Sequence, residues 1–362
     1  MLESYAIQQS LLEKGNDVEI INFSSAGQRE LYDVFSKNKS LKDMIKNFLI
    51  IPAKKRISVN NEKYEEFKRK NFLLSEDFNE MGQLSDSKYD VVVAGSDQIW
   101  NITIADYDDA YFLPWVKSAK KVAYAPSFGS KNIMKYSKNV RKYEEFLNSF
   151  DALSIREKNG KKWIKDICGK DVNVLIDPTL LLDSSKYDLI IDDSFKPQGK
   201  YIFFYCPSFN RKICRFVKKI SDKYNLPVIT WSTKSYFYKF VKTFGFKLVP
   251  YETPSLYLSL IKNAELVITT SYHGTIFSTI YRKKFITVKN GEMYGDDDRV
   301  MTLLNQIGME NRLLPYQFDS DINYLDDIDY SQYESILKGL RETAEKFIEE
   351  NVLGVNDNEA SK

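Results

Sequence analysis

Short apolar runs alternate with longer amphipathic stretches along this chain, the pattern of an α/β protein. Leu2, Tyr5, Ala6, Leu11 and Leu12 recur near helical spacing and predict a helix from Leu2 to Lys14. Gly15-Asn16 ends it, and Asp17 to Phe23 alternates as a strand. An opening helix is unusual, because α/β units start on a strand that leads into the helix. Residues 28–88 read as helical and peripheral. Four apolar runs follow, at 89–94, 121–125, 152–155 and 172–176, each running into polar residues. Parallel sheets behave this way, with strands buried on both faces and ligands outside their carboxyl ends.

The chain turns polar between Ser184 and Gly199, which marks a boundary. Residues 1–190 are expected to form one α/β domain, 191–350 a second carrying an anion-binding turn, and 351–362 a frayed tail. The second domain is predicted to have strands at 201–205, 227–230, 266–269 and 285–288. Its helices are expected at 211–224, from Thr253-Pro254 onward, at 275–282 and at 300–307. A last helix opens with a capping box, Ser331 and Glu334.

Composition narrows the partners. Lys and Arg number 52 against 50 Asp and Glu, so no general field draws nucleic acid and any anion must be held locally. The three cysteines, Cys168, Cys206 and Cys214, match no zinc spacing and no disulfide framework, and point to a reducing cytoplasm. No run approaches the roughly 20 apolar residues that span a bilayer. The basic stretch from Lys37 to Arg56 reads first as a solvated helix face; contact with a membrane or a lipid pyrophosphate is its other reading.

The candidate chemistry gathers at strand ends. The run 266–275 takes an apolar strand through Ser271, Tyr272, His273, Gly274 and Thr275 into a helix, where backbone N–H groups and the helix dipole favour an anion. Gly274 is expected to let a ligand approach the backbone. His273, the sole histidine, titrates near neutrality when unperturbed and either donates a proton or holds a phosphate. Arg156 follows a strand directly and either grips a carboxylate or phosphate in the crevice or pairs with Glu157 at the surface. Arg299 is a second anion contact or a partner for Asp296, Asp297 and Asp298, which are too exposed in pattern to be a metal site. Gly95, Ser96 and Asp97 end another strand, where Ser96 and Asp97 cap the next segment or bind sugar hydroxyls. Asp177-Pro178-Thr179 reads as a rigid turn.

Taken in order, Gly95-Ser96-Asp97-Gln98-Ile99-Trp100-Asn101, Tyr124-Ala125-Pro126-Ser127-Phe128-Gly129, Ser154-Ile155-Arg156-Glu157, Asp177-Pro178-Thr179 and Ser271-Tyr272-His273-Gly274-Thr275 resemble the polysaccharide pyruvyl transferase family over roughly residues 1–315. The resemblance implies a GT-B-like fold, two Rossmann-like domains facing across a cleft. It also implies transfer of the enolpyruvyl group of phosphoenolpyruvate to a sugar or lipid-linked oligosaccharide as a ketal, with no metal and no bound cofactor. Such a reaction belongs to capsule or exopolysaccharide synthesis. By the same resemblance His273 and Arg156 attend phosphoenolpyruvate, and Ser96 and Asp97 lie near the acceptor.

Members of the family start with a strand and an Asn/Gly-containing loop ahead of the helix that here opens at Leu2. The expectation is therefore an N-terminal sheet with its first strand missing, explained by a misplaced or truncated start. Two other functions compete: a nucleotide-sugar glycosyltransferase on the same fold, and a non-catalytic glycan-binding or scaffold member.

Overall fold

The computed structural model describes residues 1–35, 37, 40–289 and 299–353. The chain opens with α1 (Leu2–Glu13), β1 (Ile20–Phe23), α2 (Ala26–Tyr32), α3 (Leu41–Ile50), α4 (Lys54–Asn71) and β2 (Leu74–Phe78). It continues with β3 (Val91–Ala94), β4 (Lys120–Ala123), α5 (Ile133–Tyr136), α6 (Val140–Asn148), β5 (Ala152–Ile155), α7 (Lys158–Cys168), β6 (Asn173–Val174) and α8 (Ser184–Asp188).

After a polar connection come β7 (Ile202–Tyr205), α9 (Arg211–Tyr224), β8 (Val228–Thr230), α10 (Thr233–Tyr238), β9 (Lys247–Leu248) and α11 (Pro254–Asn263). Then follow β10 (Leu266–Thr269), α12 (Tyr272–Ile280), β11 (Phe285–Lys289), α13 (Arg299–Gln306), β12 (Leu313–Pro315) and α14 (Ser331–Asn351).

Every strand pair is parallel. The second half forms one six-stranded sheet in the order β12-β11-β10-β7-β8-β9. Counting β7 as the first strand, this is the doubly wound order 3-2-1-4-5-6, whose direction reverses between β7 and β10. In sheets of this order ligands bind at the carboxyl ends of the two strands flanking the reversal. Both are apolar and buried through most of their length, as strands covered on two faces must be.

Local sequence explains the helices that frame the crevice. Asn210 accepts from the Ile213 N–H at 3.0 Å to start α9, and Ile213, Phe216, Val217 and Ile220 bury one side of it. Asn225, in the left-handed region at φ 51°, ends it. Thr253 caps α11, whose first residue is Pro254.

The N-terminal sheet is split. β1 pairs with β2, while β3-β4-β5-β6 form a separate four-stranded sheet. The gap expected for a missing first strand is present. It lies between β1 and β3, and the strand β2 sits where a peripheral helical region was expected. Leu-Ser-Glu-Asp-Phe is too polar to stand out as a strand, since it lies at the sheet's edge beside β1 alone.

Two further expectations are corrected. The helix after the histidine turn starts at Tyr272 rather than Thr275, so His273 lies in its first turn. The Ser331–Glu334 capping box does not form; Asp329 accepts from the Ser331 N–H at 2.9 Å instead, and Glu334 pairs with Arg282 at 2.6 Å. α14 spans both halves, with Tyr330 bonded to the Lys283 carbonyl at one end and Phe347 against Tyr124 toward the other. The three cysteines are free.

Candidate active site

Four elements bring four charged side chains together. β5 ends at Ile155 and delivers Arg156, which is 2 % exposed. The turn after β6 delivers Asp177, fully buried. The first turns of α1 and α12 deliver Glu3 and His273. Arg156 Nη1 lies 2.7 Å from Asp177 Oδ2 and 3.8 Å from Glu3 Oε1. His273 Nε2 lies 2.9 Å from Glu3 Oε1 and 3.5 Å from Asp177 Oδ2, without hydrogen-bond alignment to either. The Arg156 guanidinium stacks over the Tyr272 ring at 4.3 Å. The alternative of a surface pair between Arg156 and Glu157 is overturned, because both are buried.

Asp177 is the hub. One oxygen accepts from the Thr179 N–H and hydroxyl at 3.0 and 2.6 Å. The other takes the Ser96 hydroxyl at 3.2 Å and Arg156. The turn read from Asp177-Pro178-Thr179 exists, yet its aspartate reaches back to residues 21 and 81 positions away.

Charge balance sets the protonation states. Burial alone would push His273 down, but the negative charges of Glu3 and Asp177 outweigh it and hold the imidazole up at about 10. His273 is therefore a stable cation rather than a group poised near neutrality. Burial would raise Glu3 and Asp177; the charge of His273, joined by Arg156, keeps both below the usual carboxylate range. Glu157 differs. Burial pushes it up to about 7 against the opposing charges of Arg156 and Arg299, while its Oε1 accepts from the Ser127 hydroxyl and the Phe128 N–H, each at 2.9 Å. That opposing effect, with a similar one on Tyr272, puts buried Arg299 beside the same cluster. The aspartates at 296–298, its other expected partners, lie outside the described residues.

The remaining predicted residues divide. Ser96 touches Asp177, and Asp97, with its side chain 56 % exposed, stands 3.6 Å from Arg156 Nη2. Gly95 has φ 149°, and a Cβ there would stand 2.0 Å from the Tyr124 carbonyl, so it serves close strand approach. Ser271 caps α12 through the Gly274 N–H at 3.4 Å. Gly274 was expected to admit a ligand, but its Cα packs on Thr269, whose Oγ1 would be 2.2 Å from a Cβ. Thr275 is fully buried and bonds Thr287 at 2.8 Å, tying α12 to β11 rather than facing a ligand. Glu3, Asp177 and Tyr272 are site residues that sequence reasoning did not select.

Several buried polar atoms have no hydrogen-bond partner here: Arg156 Nε and Nη2, His273 Nε2 and Glu3 Oε1. Two cations with unbonded N–H groups beside one another are suited to a ligand carrying two anionic groups. Glu3, Asp177 and His273 also lie close enough together to ligate a cation. Arg156 already neutralises that set from 2.7 Å, so a divalent ion would be held against its positive charge and would have to displace the proton of His273.

A family model described as polysaccharide pyruvyl transferase matches residues 2–292. No match was found among the curated proteins. Among solved structures, a UDP-GlcNAc 2-epimerase from Methanocaldococcus jannaschii is 13% identical with a TM-score of 0.48, over 93% of this chain and 88% of that one. A UDP-GlcNAc 2-epimerase from Neisseria meningitidis, bound to UDP-GlcNAc, is 10% identical with a TM-score of 0.44, over 96% and 90%. A heptosyltransferase from E. coli, solved with ADP, is 12% identical with a TM-score of 0.39, over 97% and 95%.

Proposed function

The chain belongs to the polysaccharide pyruvyl transferase family, and on that premise we propose that it moves the enolpyruvyl group of phosphoenolpyruvate onto a sugar hydroxyl pair as a ketal. The observation that carries this reading is the pair of adjacent cations, Arg156 after β5 and His273 after β10, with their unbonded N–H groups. Phosphoenolpyruvate presents a carboxylate and a phosphate on one small skeleton, and two adjacent cationic donors match it.

The chemistry requires a proton on the methylene carbon, which turns the central carbon into an oxocarbenium-like centre. A sugar hydroxyl oxygen attacks that carbon and loses its proton. The bond to phosphate then breaks, and a second hydroxyl closes the ketal. Of the two hydroxyl protons, one balances the new methyl group and the other leaves on phosphate. Arg156 holds the anionic end of the donor and His273 supplies the proton. Glu3 and Asp177 are ionised and lie beside both, placed to orient the imidazole. Ser96 and exposed Asp97 face the acceptor. No metal enters this scheme. Incubating the protein with phosphoenolpyruvate and a capsular or lipid-linked oligosaccharide should release phosphate and yield a glycan with one added pyruvyl ketal by mass spectrometry. Phosphate release without a modified glycan would refute the transfer.

The acceptor is read as lipid-linked, in the cytoplasm. α3 presents Leu41, Met44, Ile45 and Phe48 on one exposed stripe that Ile51 just beyond it extends, with Phe48 72 % exposed, among exposed Lys42, Lys54 and Lys55. No helix among the described residues is long and apolar enough to cross a membrane. An apolar stripe ringed by lysines suits the surface of an anionic bilayer. Phe48→Ser with Leu41→Ser is expected to weaken binding to phosphatidylglycerol vesicles, read by sedimentation, by about 10²-fold or more, from the burial of two large side chains worth roughly 1.5–3 kcal/mol each. Unchanged sedimentation would remove the membrane from this reading.

A further inference from the structure

Glu157 is a fully buried acid that the transfer scheme leaves without a role. It stands at the head of α7, yet its carboxyl makes no bond to that helix. It reaches instead to the loop after β4, where Oε1 accepts from the Ser127 hydroxyl and the Phe128 N–H, each at 2.9 Å. That loop joins the two sides of the site. The Ser127 N–H donates to the Asp97 carbonyl at 3.0 Å, and the Arg156 N–H donates to the Pro126 carbonyl at 3.1 Å. Glu157 therefore pins the backbone that sets exposed Asp97 against buried Arg156.

The second oxygen of Glu157 differs from the first. Oε2 is buried and has no hydrogen-bond partner. A buried carboxylate charge needs donors on both oxygens. Asp177 has them, with Thr179 on one oxygen and Ser96 and Arg156 on the other. A neutral carboxyl leaves only one O–H unbonded, which costs far less than a bare charge. We propose that Glu157 is a positioning residue that works as the neutral acid: Oε1 holds the Ser127 loop, Oε2 keeps a proton, and the charge of Arg156 stays available to the anionic donor. This role rests on the reading of Arg156 as the donor's anchor.

The surrounding charges are consistent with it. Arg156 after β5, Arg299 at the start of α13 and Tyr272 in α12 interact with Glu157, together with the Ser127 hydroxyl and the Phe128 N–H. Lys158, next along α7, is exposed. Burial outweighs both arginines and pushes the Glu157 carboxyl up to about 7. Above that pH a negative charge stands beside Arg156 and opposes an anionic ligand. The effect falls on affinity, so turnover at saturating donor keeps the higher alkaline limit of His273.

The test compares the wild-type chain with Glu157→Gln, whose amide oxygen accepts both loop bonds and whose side chain carries no charge. The first measurement uses no donor. A carboxyl raised from the ordinary 4.5 contributes stability that is full below about 4.5 and lost as pH rises through about 7. Wild-type Tm should therefore fall relative to Glu157→Gln between about pH 5 and about pH 8. The second measurement is calorimetry with phosphoenolpyruvate. From about pH 6 to about pH 8.5 the wild type should lose about tenfold more affinity than the variant, a coupling of about 1.4 kcal/mol. The donor's own phosphate titrates near roughly 6 in both proteins and cancels in the comparison. A third readout needs no variant: at about pH 8 the wild type should take up a proton as it binds the donor, seen in buffers of different ionisation heat. Parallel Tm profiles would overturn the proposal, and so would parallel affinity profiles or binding without proton uptake. Absence of phosphoenolpyruvate binding in both proteins, with the Tm profiles diverging, would overturn the transferase reading and the donor part of this role with it.

Discussion

Replacing His273 by Gln is expected to slow phosphate release from phosphoenolpyruvate by about 10²–10⁴-fold, the usual contribution of a positioned acid, and to lower stability at neutral pH, because Glu3 and Asp177 lose a compensating charge. Glutamine keeps a polar group near Glu3 and Asp177 but has no proton to give. The pH profile makes the assignment specific. The folded pKa of His273 is raised to about 10, above the ordinary value of 6.5. A raised imidazole contributes stability that is fully present below about 6.5 and is lost as pH climbs through about 10. Activity that needs the imidazolium should follow the same limit, so the alkaline fall lies near 10 rather than near neutrality. Glu3→Gln removes the largest of the charges that oppose burial, and should shift that fall toward lower pH. A Glu3→Gln profile unchanged from wild type would mean that another group limits the reaction.

The second large effect concerns Arg156. Arg156→Met is expected to lower the stability of the fold by about 3–5 kcal/mol, because it leaves buried carboxylate charge uncompensated. Asp177 is fully buried and Glu3 nearly so, and Arg156 stands against both. The urea midpoint reports the loss, and it should be smaller at low pH, where protonation removes the stranded charge. Arg156→Lys separates structure from recognition. Its ammonium keeps the charge but not the planar fork over Tyr272, so most stability should return while donor binding stays weak. Full recovery of donor affinity in the lysine variant would mean that only charge is read.

Much of this site was visible in local sequence because strand ends and helix starts carry their own signals. β10 and α9 have the predicted bounds, since one is a continuous apolar run and the other an amphipathic stretch closed by Asn at both ends. His273 and Arg156 were found by standing just after such strands. The roles of Asp177 and Glu3 were not visible. An aspartate before proline looks like a turn whether or not its carboxylate meets an arginine 21 positions away, and a glutamate in a first helical turn looks like an exposed charge favoured by the dipole. Gly274 and Thr275 show the opposite error. Small residues beside a histidine suggested a ligand, whereas the space they leave is filled by Thr269 and Thr287. Long-range packing decided these cases, and spacing along the chain does not encode it.

The direct test of the central claim is titration calorimetry of the wild-type chain with phosphoenolpyruvate and, separately, with UDP-linked and ADP-linked sugars. The account predicts saturable binding of phosphoenolpyruvate that weakens at least about tenfold in Arg156→Lys, worth about 1.4 kcal/mol, and no binding of the nucleotide sugars. Binding of a nucleotide sugar with none of phosphoenolpyruvate would contradict it.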